Sequence, residues 1–243
     1  MNYIGSKLSL LDEMRGMLQR QGATTGTFCD MFSGTTVVAQ MARGAGFRVI
    51  ANDMQAYSWV MQKAFLETEG YPDFAALMTA QPAIAGMPAD TPRPAFGLGP
   101  APGHEAAPLR RVLAWLEALP PVSGAFYETY CEGGEAGRSY FSQENGRRLE
   151  AIRGAIEGWR QQGLLDEREF HLLLASLIES MDHLANTASV YGAYLKHVKK
   201  TARQPLVLRL PRLFTQPGPH AACQKDANEL VKHLAAAGPH DVL

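Results

Sequence analysis

Cysteine is scarce in this 243-residue sequence: Cys29, Cys131 and Cys223 are its only three, far apart and without paired spacing. That pattern excludes a disulfide framework and gives no zinc-ligand set, so the three read as reduced thiols. Long hydrophobic runs are missing too. An apolar stretch such as Leu172-Leu173-Leu174-Ala175-Ser176-Leu177-Ile178 is far too short to cross a bilayer, and no membrane helix is expected. Met1-Asn2-Tyr3-Ile4-Gly5-Ser6-Lys7 lacks the apolar run of a signal peptide, so a cytoplasmic protein is expected. A dominant charge is also lacking. The net charge of −1 excludes a molecule that binds polyanions through its overall charge.

What is present is a globular composition, 46% hydrophobic and 19% charged, at a length that suits one domain or one domain with a large insertion. The neutral average hides a local bias. From Tyr194 to Arg212 the chain carries Lys196, Lys199, Lys200, Arg203, Arg209 and Arg212 and no acid, a candidate phosphate-facing segment.

The first seventy residues alternate as an α/β unit does. Leu8, Leu11, Met14, Met17 and Leu18 predict a helix over 8–20, and residues 27–32 are a short apolar strand. Residues 37–45 read as a helix, 47–52 as a second strand, and 57–69 as another helix. Strand, glycine turn, helix, strand makes a βαβ unit, with ligands expected at the carboxyl ends of its strands.

Ten prolines then crowd into residues 71–121, at 72, 82, 88, 92, 94, 100, 102, 108, 120 and 121. Central strands cannot hold so many, and 80–108 reads as a long loop or flexible insert ahead of a helix over 109–119. Ser142 opens a long amphipathic helix through 162, and Asp166 with Glu169 forms a capping pair for a second helix through His183. A strand over 205–210 and a helix over 228–237 follow.

Gly34 follows the first strand and lets backbone approach a ligand closely, while the next helix presents free N–H groups to the ligand's polar end. Asp53, at the tip of the second strand, can accept two ribose hydroxyls. Its competing reading is a helix cap. Glycine turn and carboxylate together suit a ligand with a ribose and an amino-acid moiety, a class that includes S-adenosylmethionine.

The middle of the chain holds two polar clusters. In residues 130–148, Arg138, Arg147 and Arg148 can contact phosphates or guanine edges, or can instead pair with Glu132, Glu135 and Glu144 at a helix start. In residues 186–196, Tyr191, Tyr194 and Lys196 suit a DNA-facing loop leading to Lys199 and Lys200, the alternative being a helix end at Asn186 with its tyrosines in the core. His171 and His183 fit no metal-ligand spacing and read as surface histidines; no metal site is expected.

Asn2-Tyr3-Ile4-Gly5-Ser6-Lys7, Asp30-Met31-Phe32-Ser33-Gly34-Thr35-Thr36 and Ala51-Asn52-Asp53 with Tyr57 together resemble the opening of adenine-specific, Dam-like DNA methyltransferases of the alpha motif order. The resemblance implies a Rossmann-like methyltransferase fold with an incomplete sheet and a mainly helical target-recognition insertion. It implies that Tyr3 and Lys7 close over the methionine end of S-adenosylmethionine, that Asp30, Phe32 and Gly34 line it, and that Asp53 holds the ribose. Asp226 resembles the acidic position near the cofactor's adenine, although it is equally a helix cap. The implied layout is a cofactor-binding part at 1–70, a proline-rich insert and helix at 71–124, target recognition at 125–212, and a truncated return to the sheet at 213–243. The implied partner is double-stranded DNA, with a cognate restriction endonuclease system, and the expected state is a monomer.

Two departures stand out. Thr36 occupies the place of a second family glycine, and the family's catalytic Asp-Pro-Pro-Tyr occurs nowhere in the sequence. No catalytic residue is therefore assigned. Residues 240–243 read as the start of the strand that would carry that motif, or as a tail. A non-catalytic DNA-binding or regulatory fragment is the alternative function, and methyl transfer to RNA or a small molecule is a third.

Overall fold

The computed structural model describes residues 5–188 and 192–236. In chain order the elements are α1 (Leu11–Arg20), β1 (Thr27–Asp30), α2 (Val37–Gly44), β2 (Arg48–Asn52), α3 (Ala56–Leu66), α4 (Ala75–Ala80), α5 (Pro82–Ala85), β3 (Ala95–Phe96), α6 (Ala107–Glu117), α7 (Ala125–Tyr130), α8 (Gln143–Gln161), α9 (Glu167–Leu184), β4 (Leu210–Pro211), β5 (Ala221–Cys223) and α10 (Ala227–Ala236). They divide into two units, one built from 5–70, 97–101 and 211–236, the other from 71–96 and 102–210.

The first unit is organised by a parallel sheet of order β1-β2-β5. Phe28 stands opposite Val49, and Ile50 opposite Ala221, so the anticipated strand–helix–strand unit is formed. Small residues set the packing distance. Ala39 and Ala42 let α2 lie close to the sheet, and they share a buried cluster with Phe28, Phe47, Val49, Ala51 and Leu66. Arg43, also buried on α2, donates to the Phe65 and Leu66 carbonyls at 2.6 and 3.2 Å, which satisfies free carbonyls at the end of α3, and to the carbonyls of Phe214 and Gln216 at 3.1 and 2.9 Å. Helix α1 departs from its pattern: only Leu11 is buried, while Leu8 and Met17 are exposed.

The second unit is mainly helical. Leu109, Leu113 and Leu116 of α6 and Ile152 and Ile156 of α8 are buried, and Trp115 and Trp159 meet at 5.1 Å between ring centroids. Residues 80–108, expected as a long loop or flexible insert, are loop over 86–94 and 97–103 but are anchored by buried Ile84, Phe96, Ala106 and Ala107, and the residues just before them are packed. Phe74, Leu77 and Ile84 are fully buried, and Pro82 opens a short helix. Proline is well suited to the first turn of a helix, and Pro82 and Pro108 take that place in α5 and α6, while Pro88, Pro92, Pro94, Pro100 and Pro102 lie in the connecting loops. Arg93 then fastens the insert to α6 by a two-pronged pair with Glu117, at 2.6 and 2.9 Å, and Glu117 also accepts from the Leu208 N–H at 2.6 Å.

The strand expected over 205–210 is extended but forms a ladder only from Leu210, whose N–H donates to the Pro94 carbonyl. Side chains take the place of a partner strand before it: Leu208 N–H goes to Glu117 and Arg209 N–H to Ser180 Oγ. His171 is a further correction. It is buried, with Nδ1 2.6 Å from the Glu167 carbonyl, because residues 169–177 of α9 are covered on every face; His183 alone is exposed as expected.

Candidate functional site

In the first unit the carboxyl ends of β1 and β2 bring Asp30, Gly34 and Asp53 together. Gly34, at φ +51°, turns its N–H onto Asp53 Oδ2 at 2.8 Å, and Asp53 Oδ1 accepts the Gln55 N–H at 2.9 Å. Each oxygen keeps lone-pair capacity for a ligand hydroxyl. The cap and ligand readings of Asp53 are thus compatible in one geometry.

Asn52, buried at the tip of β2, aims the whole arrangement. Its Nδ2 donates to the carbonyls of Met31 and Lys225, its Oδ1 accepts from the Lys225 N–H, and its carbonyl accepts the Ser33 N–H. Asp53 N–H in turn donates to Cys223. Sequence reading treated Asn52 only as the neighbour of Asp53, because its partners are backbone groups of Met31 and Lys225 that leave no signal in the sequence.

Around the turn, Asp30 Oδ2, Ser33 Oγ and Thr36 Oγ1 are buried without a hydrogen bond of ordinary geometry among the described residues. Burial holds the Asp30 carboxyl above the ordinary carboxylate range and the Asp53 charge adds to this, against the lowering effect of Ser33 and nearby backbone. Buried polar groups are normally paired, so this cluster is suited to a donor such as an ammonium group. Phe32 beside it is 81% exposed, an apolar ring with room for a ligand against it. Lys7 is exposed, with Nζ donating to the Gly5 carbonyl. Asp226 Oδ1 accepts from the N–H groups of Asn228 and Glu229, so its carboxylate caps α10. Tyr3 lies outside the described residues.

In the second unit, the arginines around α8 have distinct settings. Arg148 donates to the Glu117 carbonyl at 2.6 Å and closes the end of α6. Arg147 lies over the Tyr127 ring at 4.6 Å and borders an open polar cleft of about 420 Å³ with Glu132, Gln143, Glu144 and Arg203. Arg138 is exposed, 5.9 Å from the Tyr130 ring centre. Lys196 and Lys200 are exposed, whereas Lys199 Nζ donates to the Thr187 carbonyl. Tyr194 packs edge-on against Tyr140 at 5.1 Å; Tyr191 lies outside the described residues. No group of histidine, cysteine or carboxylate side chains suited to a metal ion is found among the described residues.

Comparison with known proteins decides the family. The family model for D12 class N6 adenine-specific DNA methyltransferases matches residues 3–236. The chain belongs to this family.

Among relatives of this D12-class chain, the type II methyltransferase M.NlaIII of Neisseria lactamica is 35% identical over 241 residues, covering 97% of the chain and 61% of that protein. The modification methylase StsI of Streptococcus sanguinis is 34% identical over 237 residues, and the type II methyltransferase M.FokI of Planomicrobium okeanokoites 29% over 238; the chain spans 32% of each. No solved structure matches the D12-class chain at a significant level. Thr36 has φ +65° and is completely buried. The turn keeps the left-handed geometry that glycine adopts freely, at a strain of about 1–2 kcal/mol. Among the described residues no helix is long and apolar enough to cross a membrane.

Proposed function

We propose that this chain forms the cofactor-binding and DNA-recognising part of a site-specific methyltransferase that acts on the exocyclic amino group of adenine in double-stranded DNA, with S-adenosylmethionine as methyl donor. The observation that carries this reading is the pairing of Asp53, held by the Gly34 N–H at 2.8 Å, with the unsatisfied buried oxygens of Asp30 and Ser33. The two acidic positions match the two ends of that cofactor: a ribose diol for Asp53 and an α-ammonium for Asp30. Bound there, S-adenosylmethionine supplies a sulfonium-activated methyl group.

This chain's residues would hold and orient. Asp53 accepts the diol, Asp30 and Ser33 accept the ammonium, the Phe32 ring excludes water, and Tyr3 and Lys7 close over the methionine end. Asp226 stands toward the adenine only insofar as it can leave its cap on α10. Parallel strands with a nucleotide site at their carboxyl ends support a Rossmann-like fold. The layout proposed is cofactor binding at 1–70, insert at 71–124, target recognition at 125–212 and return to the sheet at 213–243. Arg138, Tyr191, Tyr194, Lys196 and Lys200 are assigned to DNA, with Arg147 reaching it from the cleft. Arg148 and Lys199 steady the loops beside them. A cognate restriction endonuclease fits the type II names of the relatives.

Adenine's amino group is a weak nucleophile, and with no Asp-Pro-Pro-Tyr in the sequence no side chain is assigned to accept its hydrogens. Calorimetric titration with S-adenosylmethionine should show binding by the chain and a loss of at least about tenfold in affinity in Asp53→Ala, since a charged hydrogen bond contributes roughly 1.5–3 kcal/mol. Equal affinity of the two proteins would overturn the site.

A further inference from the structure

Strand β5 is only three residues long, yet the cofactor cluster is anchored to it. The Cys223 carbonyl accepts the Asp53 N–H at 3.2 Å. Lys225, just beyond the strand, accepts from Asn52 Nδ2 and donates to Asn52 Oδ1, each at 3.0 Å. The two residues that set the direction of the Asp53 carboxylate therefore depend on where β5 lies. A strand this short has few ladder bonds, and side chains supply the rest.

Three side chains fasten it. Glu67, at the end of α3, accepts the Ala222 N–H at 2.8 Å and is itself paired with Lys63. Gln62, fully buried on α3, is satisfied at both ends when its amide nitrogen faces the carbonyls of Ala51 and Cys223, at 3.0 and 3.2 Å, and its oxygen faces Ser58 Oγ. His220 extends the ladder from the other end: its Nδ1 accepts the Val49 N–H at 3.1 Å, one residue before Ala221 meets Ile50. Gly218 seats the ring. Its carbonyl accepts the His220 N–H at 2.7 Å, and a methyl group on Gly218 would run into the imidazole.

Of these three fastenings, the imidazole changes charge near neutral pH. Arg43 of α2 and Glu69 beyond α3 act on it with opposite signs, Arg48 of β2 donates to the neighbouring Pro219 carbonyl at 3.2 Å, and the Glu67–Lys63 pair holds the strand two residues on. Burial and the Arg43 charge outweigh Glu69 and keep the ring neutral to lower pH. Protonation puts a hydrogen on Nδ1, which then opposes the Val49 N–H donor with a second donor. That end of β5 loses its bond, and only three residues separate it from the groups that hold Asn52 and Asp53.

We propose that His220 is a positioning residue for the cofactor site: its unprotonated ring fixes β5, and β5 fixes the Asn52–Asp53 tip, so that cofactor binding and protonation of His220 oppose one another. This rests on the reading that Asp53 holds the ribose of S-adenosylmethionine. The coupling is reciprocal. Whatever affinity for cofactor is lost on protonation, bound cofactor returns as a weaker hold of His220 on its proton.

The test is calorimetric titration of the full chain with S-adenosylmethionine between about pH 5.5 and 7.5, in pairs of buffers that differ in ionisation heat. Asp30 weakens binding at the acid end in every variant, so profiles are compared and not single values. From neutral to acid pH the wild type should lose about fivefold more affinity than His220→Asn, whose amide oxygen replaces Nδ1 and does not titrate. At about pH 6 the wild type should also release a larger fraction of a proton on binding than His220→Asn does. Gly218→Ala displaces the ring without changing any charge; it should bind about fivefold more weakly than the wild type at neutral pH and lack the extra fall at acid pH. Parallel profiles with equal proton release in the wild type and His220→Asn overturn the proposal, as does a Gly218→Ala profile identical to the wild type's. Melting temperatures are recorded alongside, and if His220→Asn does not fold the Gly218→Ala comparison decides. A wild type that binds no cofactor at any pH overturns the cofactor site itself, so the two failures are distinguishable.

Discussion

Asp30 and Asp53 end neighbouring parallel strands and differ in what holds them. Asp53 is met by two backbone N–H groups, whereas the Asp30 carboxyl, drawn on by Ser33 and nearby backbone, keeps a buried Oδ2 without a hydrogen bond of ordinary geometry among the described residues. Burying that carboxyl costs stability, and its raised pKa is the electrostatic expression of that cost, which a cationic group bound in the proposed site would offset. Asp30→Asn removes the buried charge while keeping the shape. It should raise the melting temperature of the ligand-free chain at neutral pH and reduce S-adenosylmethionine affinity by about tenfold or more, because the charged partner of the ammonium is gone. Scanning fluorimetry with and without cofactor checks both signs, and a variant that melts lower while binding normally would assign Asp30 to the core. Residue identity made the Gly34 turn and the strand-tip carboxylate of Asp53 legible in the sequence, since few residues suit a left-handed turn. The contribution of Asn52 was not legible, because an asparagine's partners are carbonyls and N–H groups from distant segments that carry no sequence signature.

At the scale of elements, the helices with strong caps were readable nearly to their ends. Asp166 and Glu169 form a reciprocal capping box at α9, and Ser142 Oγ accepts from the Asn145 N–H at the start of α8. Strands were less readable, since a three-residue strand such as β5 has too few side chains to show a period. The β2 strand also depends on a group outside it: the Val49 N–H donates to His220 Nδ1 at 3.1 Å, which requires that nitrogen to be unprotonated. Burial, reinforced by the Arg43 charge, holds the His220 pKa below the ordinary histidine value. The unfolded chain then binds the proton more tightly than the native one. This contribution to stability is complete above about pH 6.5 and is lost as the pH falls below it toward the native pKa. Urea midpoints measured between about pH 5 and 7.5 should fall on acidification, and His220→Gln should flatten that part of the profile. A slope unchanged in His220→Gln would place the titration elsewhere.

For the whole molecule, the two units have separate cores and carry separate candidate sites, the cofactor cluster in one and the cleft bordered by Arg147 in the other. Glu117→Ala should expose this division. It leaves Arg93 buried without its partner and Leu208 N–H without an acceptor, at a cost of about 3–5 kcal/mol confined to the helical unit. Calorimetric unfolding of the variant should resolve two transitions, with S-adenosylmethionine raising only the one that belongs to the sheet unit. A single transition, raised as a whole by the cofactor, would show the units to be thermodynamically one. The sequence by itself determined the βαβ opening, the capped helices, the family and the local excess of cations, because each is written in residues close together along the chain. Only the tertiary structure decided that the proline-rich segment is anchored, that β5 joins β2, and that His220 reaches Val49. Those outcomes depend on contacts between segments up to roughly 170 residues apart, such as Val49 with His220, where loop closure and burial outweigh local propensity.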